Sequence, residues 1–132
     1  MRVLFVCREN TCRSVMAETV FRKKAMGRHE AFSAGMCAGR EFDEKAISVL
    51  QKKGYSPEIR KPAGLDEISL NDFDVVVAVC RESECILINH PNVERWSIED
   101  PRNGDEEEYL RVLEIIETRI DNFLRRIGNE GS

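Results

Sequence analysis

The stretch from Arg2 to Met26 constrains the fold more than any other part of the chain. Val3-Leu4-Phe5-Val6 is short, apolar and β-branched, which predicts a buried strand over Arg2 to Val6. The loop Cys7-Arg8-Glu9-Asn10-Thr11-Cys12-Arg13-Ser14 follows directly, and a helical pattern from Arg13 to Met26 opens as the loop ends. Met16, Val20 and Phe21 are expected to form the apolar face of that helix, with Gly27 closing it.

The alternation continues along the chain. Ala31 to Ser33 reads as a second strand ended by Gly35. Glu44 to Lys53 reads as a helix with Ile47 and Leu50 inward and Gly54 as its stop. Asp74 to Val79, with its four valines, is the clearest buried strand, and Val93 to Trp96 is a short fourth one. Asp105 to Ile127 is a long amphipathic helix carrying Leu110, Leu113, Ile116, Ile120, Phe123 and Leu124 on one side. Its acidic start, Asp105 to Glu108, suits the positive end of a helix dipole. Strands alternating with helices predict an α/β fold with a parallel sheet. Ligands of such sheets bind at the carboxyl ends of the strands. Cys7, Cys80 and Asp100 each end or follow a strand, so a parallel sheet would bring them to one edge.

The chain has 132 residues, the size of one domain, expected over residues 1–128; residues 129–132 read as a tail that is partly an expression remnant. The net charge of −4 gives no basic field for nucleic acid. No apolar run is long enough to span a bilayer, and the N-terminus lacks a signal-peptide layout, so a cytoplasmic monomer is expected. The five cysteines, an odd number in a reducing compartment, argue against a structural disulfide framework and for catalytic, redox or metal roles. Cys80 and Cys85 lack a second ligand pair at useful spacing, so neither a metal site nor any cofactor is expected.

A Cys-x5-Arg loop between a strand and a helix has a specific chemistry. Its backbone N–H groups can wrap an anion, and the helix adds the positive end of its dipole. Arg8, Glu9, Asn10, Thr11, Cys12 and Arg13 would form this cradle. Arg13 can grip two oxyanion oxygens in a planar fork. The same field favours a thiolate at Cys7, and Ser14 could donate a hydrogen bond to its sulfur. The plain alternative, a structural cysteine and a helix-start arginine, would hold for an isolated match. The strand before and the helix after make the anion reading the stronger one.

Val6 to Glu18 resembles the signature of low-molecular-weight protein tyrosine phosphatases and of the thioredoxin-coupled arsenate reductases that share their fold. Ser33-Ala34-Gly35, the valine strand ending at Cys80, and Trp96 to Pro101 extend the resemblance over essentially the whole chain. It implies a three-layer sandwich, a four-stranded parallel sheet in order 2-1-3-4 flanked by helices. It also implies Cys7 as nucleophile, Arg13 as oxyanion ligand, Ser14 as thiolate stabiliser and Asp100 as general acid. The tyrosines that often follow Asp-Pro in the phosphatases are replaced by Arg102 and Asn103. Glu9 stands where Gly is common, and its side chain is expected to point to solvent.

Cys80 and Cys85 rank the two enzyme readings. Hydrolysis of a phosphocysteine needs only water, whereas a reductase must supply two electrons. The resemblance implies a relay in which Cys7 attacks arsenate, Cys80 attacks Cys7, and Cys85 takes over Cys80. A thioredoxin-like reductant then reduces Cys80–Cys85 at the surface, after movement of residues 81 to 87. The expectation is an arsenate reductase. A phosphatase acting on phosphomonoesters is the alternative, and a non-catalytic oxyanion-binding or redox-sensing module is a third. Cys37 matches no motif.

Overall fold

The computed structural model describes residues 1–85 and 87–128. The expected tail of residues 129–132 lies outside the described residues. In chain order the elements are β1 (Arg2–Cys7), α1 (Arg13–Ala25), β2 (Glu30–Gly35), α2 (Glu44–Lys52), β3 (Val75–Ala78), β4 (Val93–Arg95) and α3 (Glu106–Arg126). Two single 3-10 turns, Leu65–Glu67 and Leu70–Asp72, lie between α2 and β3.

The four strands pair in the order β2-β1-β3-β4, all parallel, as the resemblance implied. β1 from Val3 to Cys7 and the whole of β3 are buried, so both faces of the sheet centre are covered. On one face Phe5 meets Phe21 of α1 edge-on and lies against Trp96, which in turn meets Phe123 of α3. Rings in these offset and edge-to-face arrangements bury large apolar areas and attract beyond that burial. Trp96 is thus a core residue, with its indole N–H given to Glu94 at 2.9 Å.

Strand and helix limits agree with the sequence to within one or two residues, and β2 departs most. β2 runs through Ala34 to Gly35, because Val6↔Ala34 and Cys7↔Gly35 continue the ladder where small residues suggested a stop. Helix α1 is not a one-sided amphipathic helix. Every residue from Arg13 to Phe21 is buried, since the helix is wedged against β1, β2 and α3. It ends on Met26 in the left-handed region (φ 52°), followed by Gly27 (φ 81°).

The helix starts differ in a way that positions the site. Asp43 caps α2 and Asp105 caps α3 through their side chains, and both first turns hold acids. α1 begins at Cys12 with no side-chain cap and no acid in its first turn. Its free N–H groups and positive dipole end therefore face the loop that precedes them.

Candidate active site

The loop from Cys7 to Ser14 leaves the carboxyl end of β1 and turns through Asn10, whose φ of 57° places it in the left-handed region. Asparagine tolerates that conformation better than most residues. The loop carbonyls point outward: those of Cys7, Arg8, Glu9 and Thr11 accept hydrogen bonds from the amides of Met36, Cys37, Gly39 and Asp43 at 2.9–3.0 Å. A planar trans peptide sends its N–H opposite to its carbonyl. The amides of Arg8, Glu9, Asn10 and Cys12 therefore turn to the inner side of the loop. That is the arrangement an anion cradle requires.

Cys7 lies at the end of this loop with its sulfur 2.9 Å from Ser14 Oγ. Asn10 Nδ2 donates to Ser14 Oγ at 2.8 Å and to Ser33 Oγ at 2.9 Å. With that lone pair of Ser14 occupied, its hydroxyl proton is free for the sulfur. Asn10 Oδ1 accepts from Arg60 Nη1 at 3.1 Å and from the Ala63 amide at 2.9 Å, so the amide of Asn10 is held at both ends. Arg60 further donates to Ser33 and pairs with buried Glu18, which also pairs with Arg22 at 2.9 Å. A closed network of charged and polar groups thus lies beneath the loop.

Arg13 is 2% exposed. Its Nη1 and Nη2 donate to the two carboxylate oxygens of Glu84 at 2.8 and 3.1 Å. Nη1 also donates to the Ile98 carbonyl at 2.9 Å, and Nη2 is 3.6 Å from Asp100 Oδ2. Burial works against the charge of Arg13, but Glu84, Cys7 and Asp100 outweigh it and raise its pKa. The Arg13 fork holds the Glu84 carboxyl below the usual carboxylate range. Asp100 also accepts from the Arg102 amide at 2.9 Å. Glu9 does not point freely to solvent as expected; it pairs with Arg102 at 3.1 Å across the rim, because residue 102 follows the Asp-Pro turn into reach.

Cys80 and Cys85 are joined by a disulfide with a Cα–Cα separation of 6.3 Å. The Cys80 sulfur lies 3.8 Å from the carbonyl oxygen of Val6, the residue before Cys7. The register Val6↔Ala78 produces this closeness, since both chains leave the same sheet edge. The pair is buried, Cys80 2% and Cys85 0% exposed, so reduction by a second protein requires the movement of this segment that the relay expects. Cys7 and Cys12 are free and buried, and Cys37 is free and exposed. Among the described residues no cluster of His, Cys, Asp or Glu suits a metal ion.

The family model for Low molecular weight phosphotyrosine protein phosphatase matches residues 2–132. The chain belongs to this family. Its relatives in the family include both reductases and phosphatases. Arsenate reductase 2 of Staphylococcus haemolyticus is 31% identical over 128 residues, covering 94% of this chain and 96% of that protein. The glutaredoxin arsenate reductase of Synechocystis sp. is 26% identical, covering 96% and 98%. Among solved structures, an arsenate reductase from Archaeoglobus fulgidus superposes with a TM-score of 0.85 at 42% identity, covering 92% and 98%. A low-molecular-weight protein tyrosine phosphatase from T. tengcongensis does so at 0.84 with 31% identity, covering 96% and 99%.

Within this family member, the sheet edge gathers Cys7, Cys80 and Asp100 as the strand ends implied, and the loop adds Arg13 and Ser14. Cys85 comes with them through its bond to Cys80. Sequence reasoning missed Glu84, Arg60, Ser33 and Glu18. Ser33 and Glu18 were visible only as parts of the Ser33-Ala34-Gly35 and Val6-to-Glu18 matches, and no local signal gave Glu84 or Arg60 a role.

Two expected results follow from the loop geometry. Gly35 lies under the loop, and a Cβ there would sit 2.6 Å from the carbonyl carbon of Glu9. Gly35→Ala should push the loop outward, cost about 1–3 kcal/mol of stability in urea unfolding, and weaken phosphate binding. Unchanged stability and binding would show that the loop is not held there. Burial, reinforced by Asp43 and the neighbouring Cys7, raises the Cys12 thiol well above its ordinary pKa. Native protein treated with iodoacetamide at neutral pH should carry label on exposed Cys37 and none on Cys12, read by peptide mass spectrometry. Labelling of Cys12 as fast as Cys37 would contradict this account.

Proposed function

We propose that the protein reduces arsenate to arsenite with Cys7, Cys80 and Cys85, recharged by a thioredoxin-like reductant in the cytoplasm. The observation that carries this reading is the Cys80–Cys85 bond, whose Cys80 sulfur lies 3.8 Å from the carbonyl oxygen of Val6, the residue before the nucleophile. A hydrolase has no use for a second and third thiol at that spot.

Arsenate is held by the loop amides and the Arg13 fork, with Arg8, Glu9, Asn10, Thr11 and Cys12 supplying the cradle. The Cys7 thiolate bonds to arsenic, and one As–O bond breaks; Asp100 gives the proton with which that oxygen leaves as water. The Cys80 thiolate then attacks the Cys7 sulfur. The S–As electron pair stays on arsenic, which falls from As(V) to As(III) and departs as arsenite. The Cys85 thiolate attacks Cys80, the Cys7 thiolate leaves, and the Cys80–Cys85 disulfide remains. Two thiols have supplied the two electrons. Ser14 and Asn10 stabilise the Cys7 thiolate at the start and at its release. The buried disulfide must open outward with its turn before a second protein's thiols reach it.

Asp100 favours a second reading. A carboxyl group 3.6 Å from Arg13 suits protonation of a phosphate ester's leaving oxygen, as a phosphatase requires. The test supplies arsenate with thioredoxin, thioredoxin reductase and NADPH, with glutaredoxin and glutathione as a second electron source, and p-nitrophenyl phosphate separately. Arsenate-dependent NADPH consumption that disappears in Cys85→Ser is the expected result. Hydrolysis of the ester alone, unaffected by Cys85→Ser, establishes the phosphatase instead. Neither turnover, with phosphate still bound, leaves a non-catalytic anion or redox module.

A further inference from the structure

The group that faces the Arg13 fork is part of the protein itself. Glu84 presents both carboxylate oxygens to both terminal nitrogens of Arg13, the geometry in which a guanidinium meets a bound oxyanion. Ile98 and Asp100 take the remaining directions of those nitrogens. An incoming dianion would meet two carboxylates and find the fork already filled. Like charges crowded at this distance in a buried site repel strongly.

Glu84 lies inside the turn that the disulfide closes. Cys80 and Cys85 close a tight turn in which the Glu84 amide donates to the Arg81 carbonyl at 2.8 Å and Glu84 Oε1 accepts from the Arg81 amide at 3.0 Å. Arg95 anchors the end of the turn by donating to the Cys85 carbonyl. Glu84 precedes Cys85 directly, and in this disulfide-bonded state its carboxylate lies on Arg13. A dithiol that reduces the bond takes up the disulfide's oxidising equivalents and leaves two thiols, and the turn loses its covalent closure.

We infer that Glu84 is an internal oxyanion substitute, which occupies Arg13 when Cys80 and Cys85 are joined and yields it to the oxyanion when they are reduced. The inference rests on the reading of Arg13 as the oxyanion ligand. It assigns Glu84 a role in the reaction cycle. At the end of a turnover the electrons are spent, and an oxyanion bound to the oxidised enzyme would block the site unproductively. Glu84 fills the fork at that stage and excludes it. Reduction then restores thiols and anion site together.

The test uses inorganic phosphate, which binds without being reduced. Calorimetric titration at neutral pH compares oxidised protein, with the Cys80–Cys85 bond verified by mass, and protein reduced by tris(carboxyethyl)phosphine. A charge-assisted bidentate contact that must be displaced predicts about 10- to 100-fold weaker phosphate binding to the oxidised form. In Glu84→Gln, and again in Glu84→Ala, the oxidised protein should bind nearly as tightly as the reduced. Equal affinities of the two wild-type forms would overturn the inference while leaving the anion site intact. A redox difference that survives in both variants would also overturn it, by assigning the effect to another group. No binding by any form would remove the anion site, and the role of Glu84 with it.

Discussion

Cys7→Ser is expected to lower turnover of arsenate and of p-nitrophenyl phosphate by at least about 10⁴-fold. A hydroxyl is a far weaker acid and nucleophile than a thiol, and serine cannot form the Cys7–Cys80 disulfide that the proposed relay has Cys85 resolve. The substitution is nearly isosteric, so the fold and the cradle should persist. Their hydrogen bonds run mainly through the backbone at positions 7, 8, 9 and 11 and through Asn10; the sulfur contributes only its contact with Ser14, which a serine hydroxyl can replace. Reduced Cys7→Ser protein should therefore still bind phosphate. The pair of measurements separates loss of chemistry from loss of structure. Retention of even a tenth of the wild-type rate would mean that the nucleophile lies elsewhere.

Arg13→Lys should reduce kcat/KM for arsenate by about 100- to 1,000-fold, although the charge is kept. A lysine ammonium cannot place two parallel donors on one oxyanion. It would also leave the Ile98 carbonyl and one Glu84 oxygen without their present partner. Arg13→Ala goes further and strands Glu84 and Asp100 beside each other. Glu84 is partly exposed, with 17% of its side-chain surface accessible, so water relieves part of that cost. Destabilisation of about 1–3 kcal/mol in urea unfolding is expected for the alanine variant. If Arg13→Lys stays within about threefold of wild type, the fork geometry has no part in the reaction.

Much of this site was legible because its central parts are contiguous. The run from Val3 to Ser14 contains strand, loop, nucleophile and arginine in one stretch, and a strand-then-helix pattern can be read locally. The convergence of Cys7, Cys80 and Asp100 followed from strand ends alone, because a parallel sheet puts all its carboxyl ends at one edge. What escaped depends on distant side chains. The Arg60–Asn10 bond joins residues 50 apart, and the Arg13–Glu84 pair joins residues 71 apart. Neither leaves a periodic trace. Helix α1 misled for a related reason. Its polar residues Ser14, Glu18 and Thr19 are buried by the site and its support, so periodicity assigns to solvent a face that the network beneath the loop occupies. The charged run does start on an open surface, with Arg81, Glu82 and Ser83 exposed; what charge alone did not reveal is that Glu84 turns inward to Arg13 and that Cys85 is buried.

The crossing between β2 and α2 supports the nucleophile loop through main-chain amides alone, at Met36, Cys37, Gly39 and Asp43. Cys37, Ala38, Arg40 and Glu41 meanwhile present exposed side chains beside the mouth. Shape and decoration are thereby decoupled. Selection, or a protein engineer, can rewrite what this rim offers to a bulky leaving group while the anchoring ribbon underneath stays the same. One scaffold can therefore diversify toward free inorganic ions or toward large esters without rebuilding its chemistry.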